Sequence, residues 1–204
     1  MNGHYFSEHP SSSGKKTIIQ TVQFNQSLSF KSQSGIFNWQ KVDTGSELLL
    51  EKSRLPNNSG AEILDLGCGY GLLGIAIAKA CPTVKVTLTD INRLAVRLAK
   101  ENCKRNRVEK NTAVKKGHLY EPVKKQLFDL IITNPPISAG KKVLRELTAK
   151  APPHLKPEGS LQLVVPKKKG LGSMKKMLKE AFGTWEVLGK GSGFWVLKAP
   201  GKES

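Results

Sequence analysis

Apolar and polar positions along the chain follow two alternating periods. Continuous runs of aliphatic and β-branched residues predict strands, at 62–66, 84–89, 112–115, 128–133, 160–165, 185–188 and 194–198. Apolar residues that recur every three or four positions predict helices between them, at 72–80, 92–106, 141–150 and 173–182. Strands that alternate with helices are typical of a parallel sheet covered on both faces, so we predict an α/β fold with a seven-stranded sheet.

Two details refine this prediction. In the helix at 92–106 one face carries Leu94, Ala95, Leu98, Ala99 and Asn102, whereas the basic residues Arg93, Arg97, Lys100 and Lys104 point elsewhere. The last two strands are joined by Gly189-Lys190-Gly191-Ser192-Gly193, a connection suited to an antiparallel hairpin. The sheet should therefore be mostly parallel, with an antiparallel hairpin at the C-terminus.

The first part of the chain has a different pattern. Alternating residues at 17–24 and 27–32, around Asn25-Gln26, predict a hairpin, and 35–41 should be an irregular loop. Thr44 and Glu47 fit a capping box, so a short helix should run to about Arg54. The turn residues at 56–60 then divide the chain into an N-terminal extension, 1–58, and a main domain, 59–204.

Composition limits the class of protein. The 33 Lys and Arg residues outnumber the 16 Asp and Glu residues, and the formal net charge of +17 predicts a polyanionic partner, foremost nucleic acid. Cys68, Cys81 and Cys103 are odd in number and unclustered, which favours neither a disulfide framework nor a metal site. Without a long apolar run or a signal peptide, we expect a soluble, cytoplasmic protein with no membrane and no metal partner.

A glycine-rich loop joins the strand at 62–66 to the helix at 72–80. Gly67, Gly69 and Gly71 permit unusual backbone angles and close approach of a ligand, while the N–H groups of the helix start favour an anion. Asp65 can accept hydrogen bonds from an ammonium group, and Asp90 can take two ribose hydroxyls. These groups suit S-adenosylmethionine, with contacts from the loop residue Cys68 and from Ile91 and Asn92 along the adenosine. Asn134, after the strand at 128–133, is a further candidate cofactor contact. The motif Gly69-x-Gly71-x-x-Gly74 suits NAD equally well, so the loop alone leaves both cofactors open.

A second motif, Asn134-Pro135-Pro136-Ile137, follows the buried strand at 128–133. The side-chain oxygen of Asn134 and the carbonyl of Pro135 can accept the two hydrogens of an amino group, and the prolines hold φ fixed. Ile137 can pack against a flipped base but has no aromatic face. The motif predicts methyl transfer to an amino group, and it favours S-adenosylmethionine over NAD.

Two groups of cations lie close to this motif in the sequence. They are Lys141, Lys142 and Arg145 at the start of a helix, and Lys167, Lys168 and Lys169 after a strand. Cations at a helix N-terminus oppose the helix dipole, and a bound phosphate backbone would remove that conflict. Both groups are candidate RNA contacts, although an exposed lysine run is also compatible with a solvated loop.

Taken together, the motifs resemble those of the methyltransferase small domain family. The resemblance rests on His4-Tyr5-Phe6-Ser7-x-x-Pro10, Gly35-Ile36-Phe37, Val42-Asp43-x-Gly45-Ser46-x-Leu48-Leu49, the glycine loop and Asn134-Pro-Pro-Ile-x-Ala-Gly-Lys-Lys142. It implies a Rossmann-like class I fold and S-adenosylmethionine as cofactor. It further implies a lip over the cofactor formed by Phe37 and the Asp43–Gly45 segment, including Thr44, although Phe37 in the core and Thr44 as a helix cap fit equally well.

The best-known branch of that family, ribosomal RNA small subunit methyltransferase C, methylates guanine N2 in 16S rRNA. The resemblance therefore implies ribosomal RNA or the small ribosomal subunit as partner. The sequence leaves open whether the protein is a monomer or a homodimer. That branch carries a second, degenerate methyltransferase domain ahead of the catalytic one, whereas this chain shows a short extension there. This chain also has His118 in the adenine-side segment, where Leu119 is a candidate cofactor contact. Protein-glutamine or DNA-adenine methylation, a non-catalytic RNA-binding assembly factor and an NAD oxidoreductase are the alternatives.

Overall fold

The structure, a computed structural model, describes residues 14–201 of the chain, so the predicted motif at 4–10 lies outside the described residues. The strands within that range are β1 (Lys16–Gln23), β2 (Gln26–Gln33), β3 (Glu62–Leu66), β4 (Lys85–Asp90), β5 (Thr112–Lys116), β6 (Phe128–Thr133), β7 (Leu155–Pro166), β8 (Glu186–Gly191) and β9 (Phe194–Pro200). The α-helices are α1 (Thr44–Lys52), α2 (Leu72–Ala80), α3 (Arg93–Arg105), α4 (Lys141–Ala149) and α5 (Leu171–Phe182). Short 3-10 turns lie at Glu121–Val123, Ile137–Ala139 and Pro152–His154.

Seven strands form one sheet in the order β5-β4-β3-β6-β7-β9-β8. Neighbouring strands are parallel from β5 to β7, and β9 runs antiparallel to both β7 and β8. The helices α1, α2 and α3 contribute to one hydrophobic cluster, and α4 and α5 contribute to a second one. The predicted Rossmann-like α/β fold with an antiparallel C-terminal hairpin is confirmed.

Two boundaries in the C-terminal half differ most from the prediction. β7 begins at Leu155 instead of 160, because a register shift between Phe128 and Leu130 on β6 lets the strand pair on both sides of an irregularity. β8 extends to Gly191, so the hairpin closes through Ser192-Gly193, where φ is +48° and +80°. These angles suit a two-residue hairpin turn, and the predicted five-residue connection is wrong.

The predicted N-terminal hairpin is confirmed, and it packs on α3 through a buried amide. Asn102 Oδ1 accepts the N–H of Lys31 at 2.7 Å, and Asn102 Nδ2 donates to the carbonyls of Lys31 at 2.9 Å and Tyr70 at 2.8 Å. The ring of Phe30, fully buried, lies 5.4 Å from that of Tyr70. Burying Asn102 is favourable only because each of its polar atoms is paired.

The hairpin and α1 share one continuous core with the main domain. Leu28, Phe30 and Leu49 lie in the same cluster of buried residues as Ile75 and Ile77 of α2. The described part of the predicted extension therefore packs onto the sheet domain. The division at 58/59 stays a prediction about how the chain is organised.

The start of α1 corrects the predicted capping box. The N-cap is Asp43, whose Oδ2 accepts the N–H of Ser46 at 2.9 Å. Thr44 is the first helical residue and is exposed, as is Glu47. Asp43 caps the helix one residue earlier because its carboxylate reaches the third N–H of the helix, as N-cap residues generally do.

Cys68, Cys81 and Cys103 are free thiols, and two of them are buried. Within residues 14–201 no three His, Cys, Asp or Glu side chains are grouped so that they could hold a metal ion. None of the helices in that range is long and apolar enough to cross a membrane.

Candidate active site

The carboxyl ends of three adjacent strands form the candidate site. Thr133, the last residue of β6, donates from Oγ1 to the carbonyl of Leu66 at the end of β3, at 2.7 Å. β4 lies on the other side of β3 and ends at Asp90. The glycine loop after β3 is therefore flanked by Asp90 on one side and by Asn134 on the other, which is where ligands bind in open α/β sheets.

The glycine loop has the backbone that the sequence predicts. Gly67, Gly69 and Gly71 have φ values of +73°, +57° and +98°, a region that side chains disfavour. The N–H of Gly67 donates to the carbonyl of Thr89 at 2.8 Å, which closes the turn against β4. Gly74 serves packing instead, because a Cβ there would lie 2.9 Å from the side chain of Leu88. The spacing of the glycines thus follows from one tight turn and one close helix–strand contact.

Asp65 is a buried carboxylate with one unsatisfied oxygen. Its Oδ2 accepts the N–H of Gly74 at 2.8 Å, but no donor reaches Oδ1 among the described residues. Burial raises the pKa of Asp65 to about 7, opposed by the hydrogen bond from Gly74 and reinforced by the nearby charge of Asp90. An ammonium group placed at Oδ1 would supply the missing donor and favour the ionised form. The residue therefore fits the amino group of an amino-acid cofactor.

Asp90 links the glycine loop to the start of α3. Its Oδ2 accepts the N–H of Gly69 at 2.9 Å, and its Oδ1 accepts the N–H of Asn92 at 2.8 Å. Burial raises the pKa of Asp90, against hydrogen bonds from the backbone N–H groups of Asn92, Gly69 and Ile91. Each carboxylate oxygen has a further lone pair, so ribose hydroxyls can still bind.

Asn92 and Ile91 differ in what they can offer a nucleoside. Asn92 is buried; its Oδ1 accepts the N–H of Leu94 at 2.9 Å as the N-cap of α3, and its Nδ2 donates to the carbonyl of Gly35 at 3.3 Å. Ile91 is half-buried. The side chain of Asn92 is thus occupied in holding the loop at Gly35, and Ile91 is the partly accessible member of the predicted pair.

Cys68 and Leu119 remain predicted cofactor contacts without a direct structural argument. Burial raises the pKa of the Cys68 thiol, reinforced by nearby acidic groups, so the thiol stays protonated. Leu119 has φ of +44° and packs against the second hydrophobic cluster.

His118, the neighbour of Leu119, lies 3.3 Å from Glu146 of α4, measured between Nε2 and Oε2. This contact gives His118 a partner on α4.

Asn134 is held in one orientation by the start of α1. Its Nδ2 donates to Asp43 Oδ2 at 2.7 Å and to Ser46 Oγ at 2.8 Å. Asn38 donates from Nδ2 to the other oxygen of Asp43, at 2.5 Å. Asp43 and Ser46 thus both accept hydrogen bonds from the amide nitrogen. No donor among the described residues reaches Asn134 Oδ1. The amide oxygen is therefore left free to accept a hydrogen bond.

The sequence analysis did not identify Ser46, Asn38 or Phe194 as parts of this site. A Cβ at Gly45 would lie 3.1 Å from the ring of Phe194 and 3.0 Å from Asp43 Oδ2. The ring is therefore packed close to Asp43, which binds Asn134. Phe194 is half-buried at the start of β9. The motif Asp43-x-Gly45-Ser46 was the only sequence signal for this contact. Its partner, Asn134, lies 91 residues beyond Asp43, so the motif alone does not predict the contact.

Ile137 lies against the loop that carries the lysine run. A Cβ at Gly170 would be 3.3 Å from Ile137 Cγ2, and Gly170 directly follows that run. All six predicted RNA contacts are exposed and make no ion pair within residues 14–201, namely Lys141, Lys142, Arg145, Lys167, Lys168 and Lys169.

Phe37 is 59% exposed, so the alternative that placed it in the core is wrong.

The chain matches known proteins over most of its length. A model of the methyltransferase small domain matches residues 27–198. The uncharacterized protein YbxB of Bacillus subtilis (strain 168) is 38% identical over 98% of both chains. Ribosomal RNA small subunit methyltransferase C of Haemophilus influenzae (strain PittGG) is 31% identical over 89% of this chain and 54% of that protein.

A solved structure gives the same result for the fold. The 16S rRNA N2 G1207 methyltransferase of T. thermophilus, in complex with AdoMet and guanosine, superposes with a TM-score of 0.82 at 26% identity. The match covers 95% of this chain and 52% of that one. The chain thus spans about half the length of the two ribosomal RNA methyltransferases that it matches.

Fold and site together define a Rossmann-like methyltransferase, with a cofactor loop after β3 and an Asn-Pro-Pro motif after β6. More narrowly, the chain belongs to the methyltransferase small domain family. The predicted family resemblance is confirmed, and with it S-adenosylmethionine as the cofactor class of the family. Family membership decides between the two cofactors that the glycine loop left open.

Asp65 should make the stability of the unliganded protein fall as the pH rises from about 4 to about 7. The pKa of Asp65 is about 7 in the folded chain against 3.8 for an aspartate in water, so the folded state binds more protons in this window. Removing the ionisable group in Asp65→Asn should reduce that fall in the free energy of unfolding by about 2–4 kcal/mol. Urea unfolding at about pH 4.5 and pH 7.5 measures the difference.

The matched control is Glu109→Gln, which removes an exposed carboxylate. It should leave the pH dependence of the parent protein unchanged. If Asp65→Asn showed the same pH dependence as Glu109→Gln, the buried, unpaired state of Asp65 would be disproved.

Proposed function

We propose that the protein transfers a methyl group from S-adenosylmethionine to the exocyclic amino group of guanine, N2, in 16S ribosomal RNA. The observation that carries this proposal is the orientation of Asn134, whose Nδ2 is held by Asp43 and Ser46 while Oδ1 stays free. An amino group is recognised through its two hydrogens, so its receptor must present acceptors. A free and rigidly directed amide oxygen beside the cofactor loop meets that requirement.

Different residues of the site would bind different parts of the cofactor. Asp65 Oδ1 would accept the ammonium group, and the N–H groups at the start of α2 would receive the carboxylate. Asp90 would accept the ribose hydroxyls, with Ile91 beside the adenosine. Phe37 and Thr44, both exposed, would form the lip over the cofactor that the family resemblance implies. The cofactor supplies an activated methyl group on a sulfonium.

The acceptor side needs positioning more than acid–base chemistry. Asn134 Oδ1 and the carbonyl of Pro135 would each accept one hydrogen of the amino group, which turns the nitrogen lone pair toward the methyl donor. Pro135 and Pro136 have no N–H to compete and keep the acceptors in place before the substrate binds. The nitrogen becomes acidic once methylated and can lose its proton to solvent, so proximity and alignment account for most of the rate.

Ile137 and Phe194 flank this position from different elements. Ile137 lies in the turn directly after the motif, and Phe194 packs beside the residues that hold Asn134. An aliphatic side chain gives apolar contact without ring stacking, whereas an aromatic ring can stack on a base. We assign Phe194 to the wall of the base pocket, where it would compensate for the aliphatic residue at 137.

Charge and relatives favour ribosomal RNA as the substrate. The chain carries a formal net charge of +17. Of its six predicted RNA contacts, all exposed, three lie on α4 after the Asn-Pro-Pro motif and three on the loop after β7. Two of the proteins that it resembles are named as methyltransferases of small-subunit rRNA. The proposed partner is accordingly 16S ribosomal RNA, either as naked RNA or within the assembled small subunit.

The test is transfer of labelled methyl groups to 16S rRNA made by transcription, and to subunits reconstituted from it, followed by nucleoside analysis. We expect N2-methylguanosine from the parent protein and a loss of about 100-fold or more with Asn134→Ala. A cooperative urea unfolding transition in the variant serves as its folding control. Labelled N6-methyladenosine, labelled protein glutamine, no transfer to either substrate, or full activity in the variant would contradict the proposal.

Asp43 is proposed as a positioning residue that acts through Asn134. Asp43→Ser keeps a good N-cap for α1, but a single short hydroxyl cannot hold Ser46 and Asn134 together. We expect kcat to fall by about 10- to 100-fold, with the KM for guanosine and the free energy of unfolding changed little. Steady-state kinetics and urea unfolding check this. A fall in stability that accounts for the lost activity, or an unchanged kcat, would contradict the positioning role.

A further inference from the structure

The outer surface of α3 carries a line of cations that the proposed reaction does not use. Arg93, Arg97, Lys100 and Lys104 follow the spacing of one helix face and are all exposed; we refer to these four residues as the α3 stripe. The opposite side of the helix is buried against the sheet and the β1–β2 hairpin. The stripe therefore faces away from the core along the full length of the helix.

No residue of the α3 stripe makes an ion pair within residues 14–201. Arg97 makes a 3.4 Å hydrogen bond to Gln33. The pKa of Glu101 is lowered by the hydrogen bond from Lys31 and also, from beyond ion-pair distance, by the charge of Arg97. The one acidic residue on the helix, Glu101, is paired with Lys31 at 2.8 Å. Like charges at this spacing repel by roughly 0.2–0.5 kcal/mol per pair. A polyanion laid along the helix would replace that repulsion with attraction.

The stripe leads into a basic groove beside the N-terminal hairpin. The groove has a volume of about 630 Å³ and lies between the tip of the hairpin and the C-terminal ends of α2 and α3. Its lining includes Lys79, Arg105 and Arg107 and the hydroxyl residues Ser27 and Ser29, and no carboxylate. Cations next to hydroxyl groups suit phosphate oxygens, which accept hydrogen bonds from both.

The position of the stripe relates it to the candidate active site. Arg93 directly follows Asn92, which caps α3 next to the cofactor loop. Four cations spread over twelve residues cover about 16 Å along the helix axis, the length of several nucleotides of a strand. The cations near Asn134 lie elsewhere, on α4 and on the loop after β7, and α4 belongs to the other hydrophobic cluster. The stripe is a separate surface that starts at the same edge of the sheet.

We propose that the α3 stripe and the basic groove form a second binding surface for the RNA backbone. This surface holds a segment of the substrate that flanks the target nucleotide, while the cations near Asn134 contact the nucleotides next to it. The choice of ribosomal RNA rests on the proposed function, whereas the polyanion-binding surface rests on the charges alone. Phosphate contacts of this kind orient a substrate and carry no sequence information.

The test measures the salt dependence of binding to transcribed 16S rRNA, without cofactor, for a fourfold variant with Arg97, Lys100, Lys104 and Arg105 each changed to Gln. Every phosphate contact contributes about 0.7–0.9 to the slope of log K against log salt. We expect the slope to fall by about 2–3 and the affinity in low salt to fall by about 30-fold or more. The matched control changes four exposed lysines elsewhere to Gln, at Lys124, Lys125, Lys176 and Lys179.

The control should bind RNA with nearly the slope of the parent protein. An unchanged slope in the α3 variant, or an equal fall in both variants, would overturn the proposal. Loss of binding to reconstituted subunits with binding to naked rRNA unchanged would point to a ribosomal protein as the partner of the stripe, and would overturn it as well.

Methyl transfer to free guanosine separates this proposal from the proposed function. The α3 variant should keep the parent rate on guanosine, because none of the four residues belongs to the cofactor or acceptor site. A parent protein that binds RNA with the expected slope but methylates no guanine would contradict the proposed function and leave the binding surface supported. An α3 variant that loses activity on guanosine would overturn the separation of the two surfaces.

Discussion

The contact between Asp43 and Asn134 joins two parts of the chain that the fold brings together only at the end of β6. One carboxylate caps α1, accepts from Asn38 and takes the amide nitrogen of Asn134. Charged acceptors of this kind make the stronger hydrogen bonds, so the amide has one favourable orientation. The proposed recognition of an amino group depends on that orientation, because a flipped amide would present a donor where an acceptor is needed.

The sheet supplies the rigid frame for this contact. β3 and β6 are neighbours, and Thr133 ties their ends together, so the cofactor loop and Asn134 cannot move independently. Two buried carboxylates then serve opposite purposes. Asp90 has both oxygens paired with backbone N–H groups, whereas Asp65 keeps one oxygen without a donor. The unpaired oxygen is unfavourable in the free protein and becomes favourable when a cation is bound, which couples cofactor binding to ionisation of Asp65.

Elements bounded by strong local signals could be predicted from the sequence. β3, α2 and β6 have the predicted limits, because glycines separate β3 from α2, Cys81-Pro82 follows the end of α2 and Asn-Pro-Pro ends β6. The cap of α1 was misassigned since Thr44 and Glu47 fit the same local pattern that Asp43 and Ser46 fulfil. The hold of Asp43 on Asn134 and the approach of Phe194 are tertiary contacts, and no local pattern contains them. The exposed cations of α3 are visible in the sequence as a helix face, but only the structure shows that they make no ion pair among residues 14–201.

The central claim is that Asn134 presents its amide oxygen to an amino group because Asp43 holds its nitrogen. A crystal structure of the protein with S-adenosylhomocysteine and guanosine tests it directly. The account predicts that Asn134 Nδ2 stays on Asp43 and that N2 of guanosine lies about 3 Å from both Asn134 Oδ1 and the Pro135 carbonyl. A guanosine whose N2 is held elsewhere, or an Asn134 that has left Asp43, would contradict it.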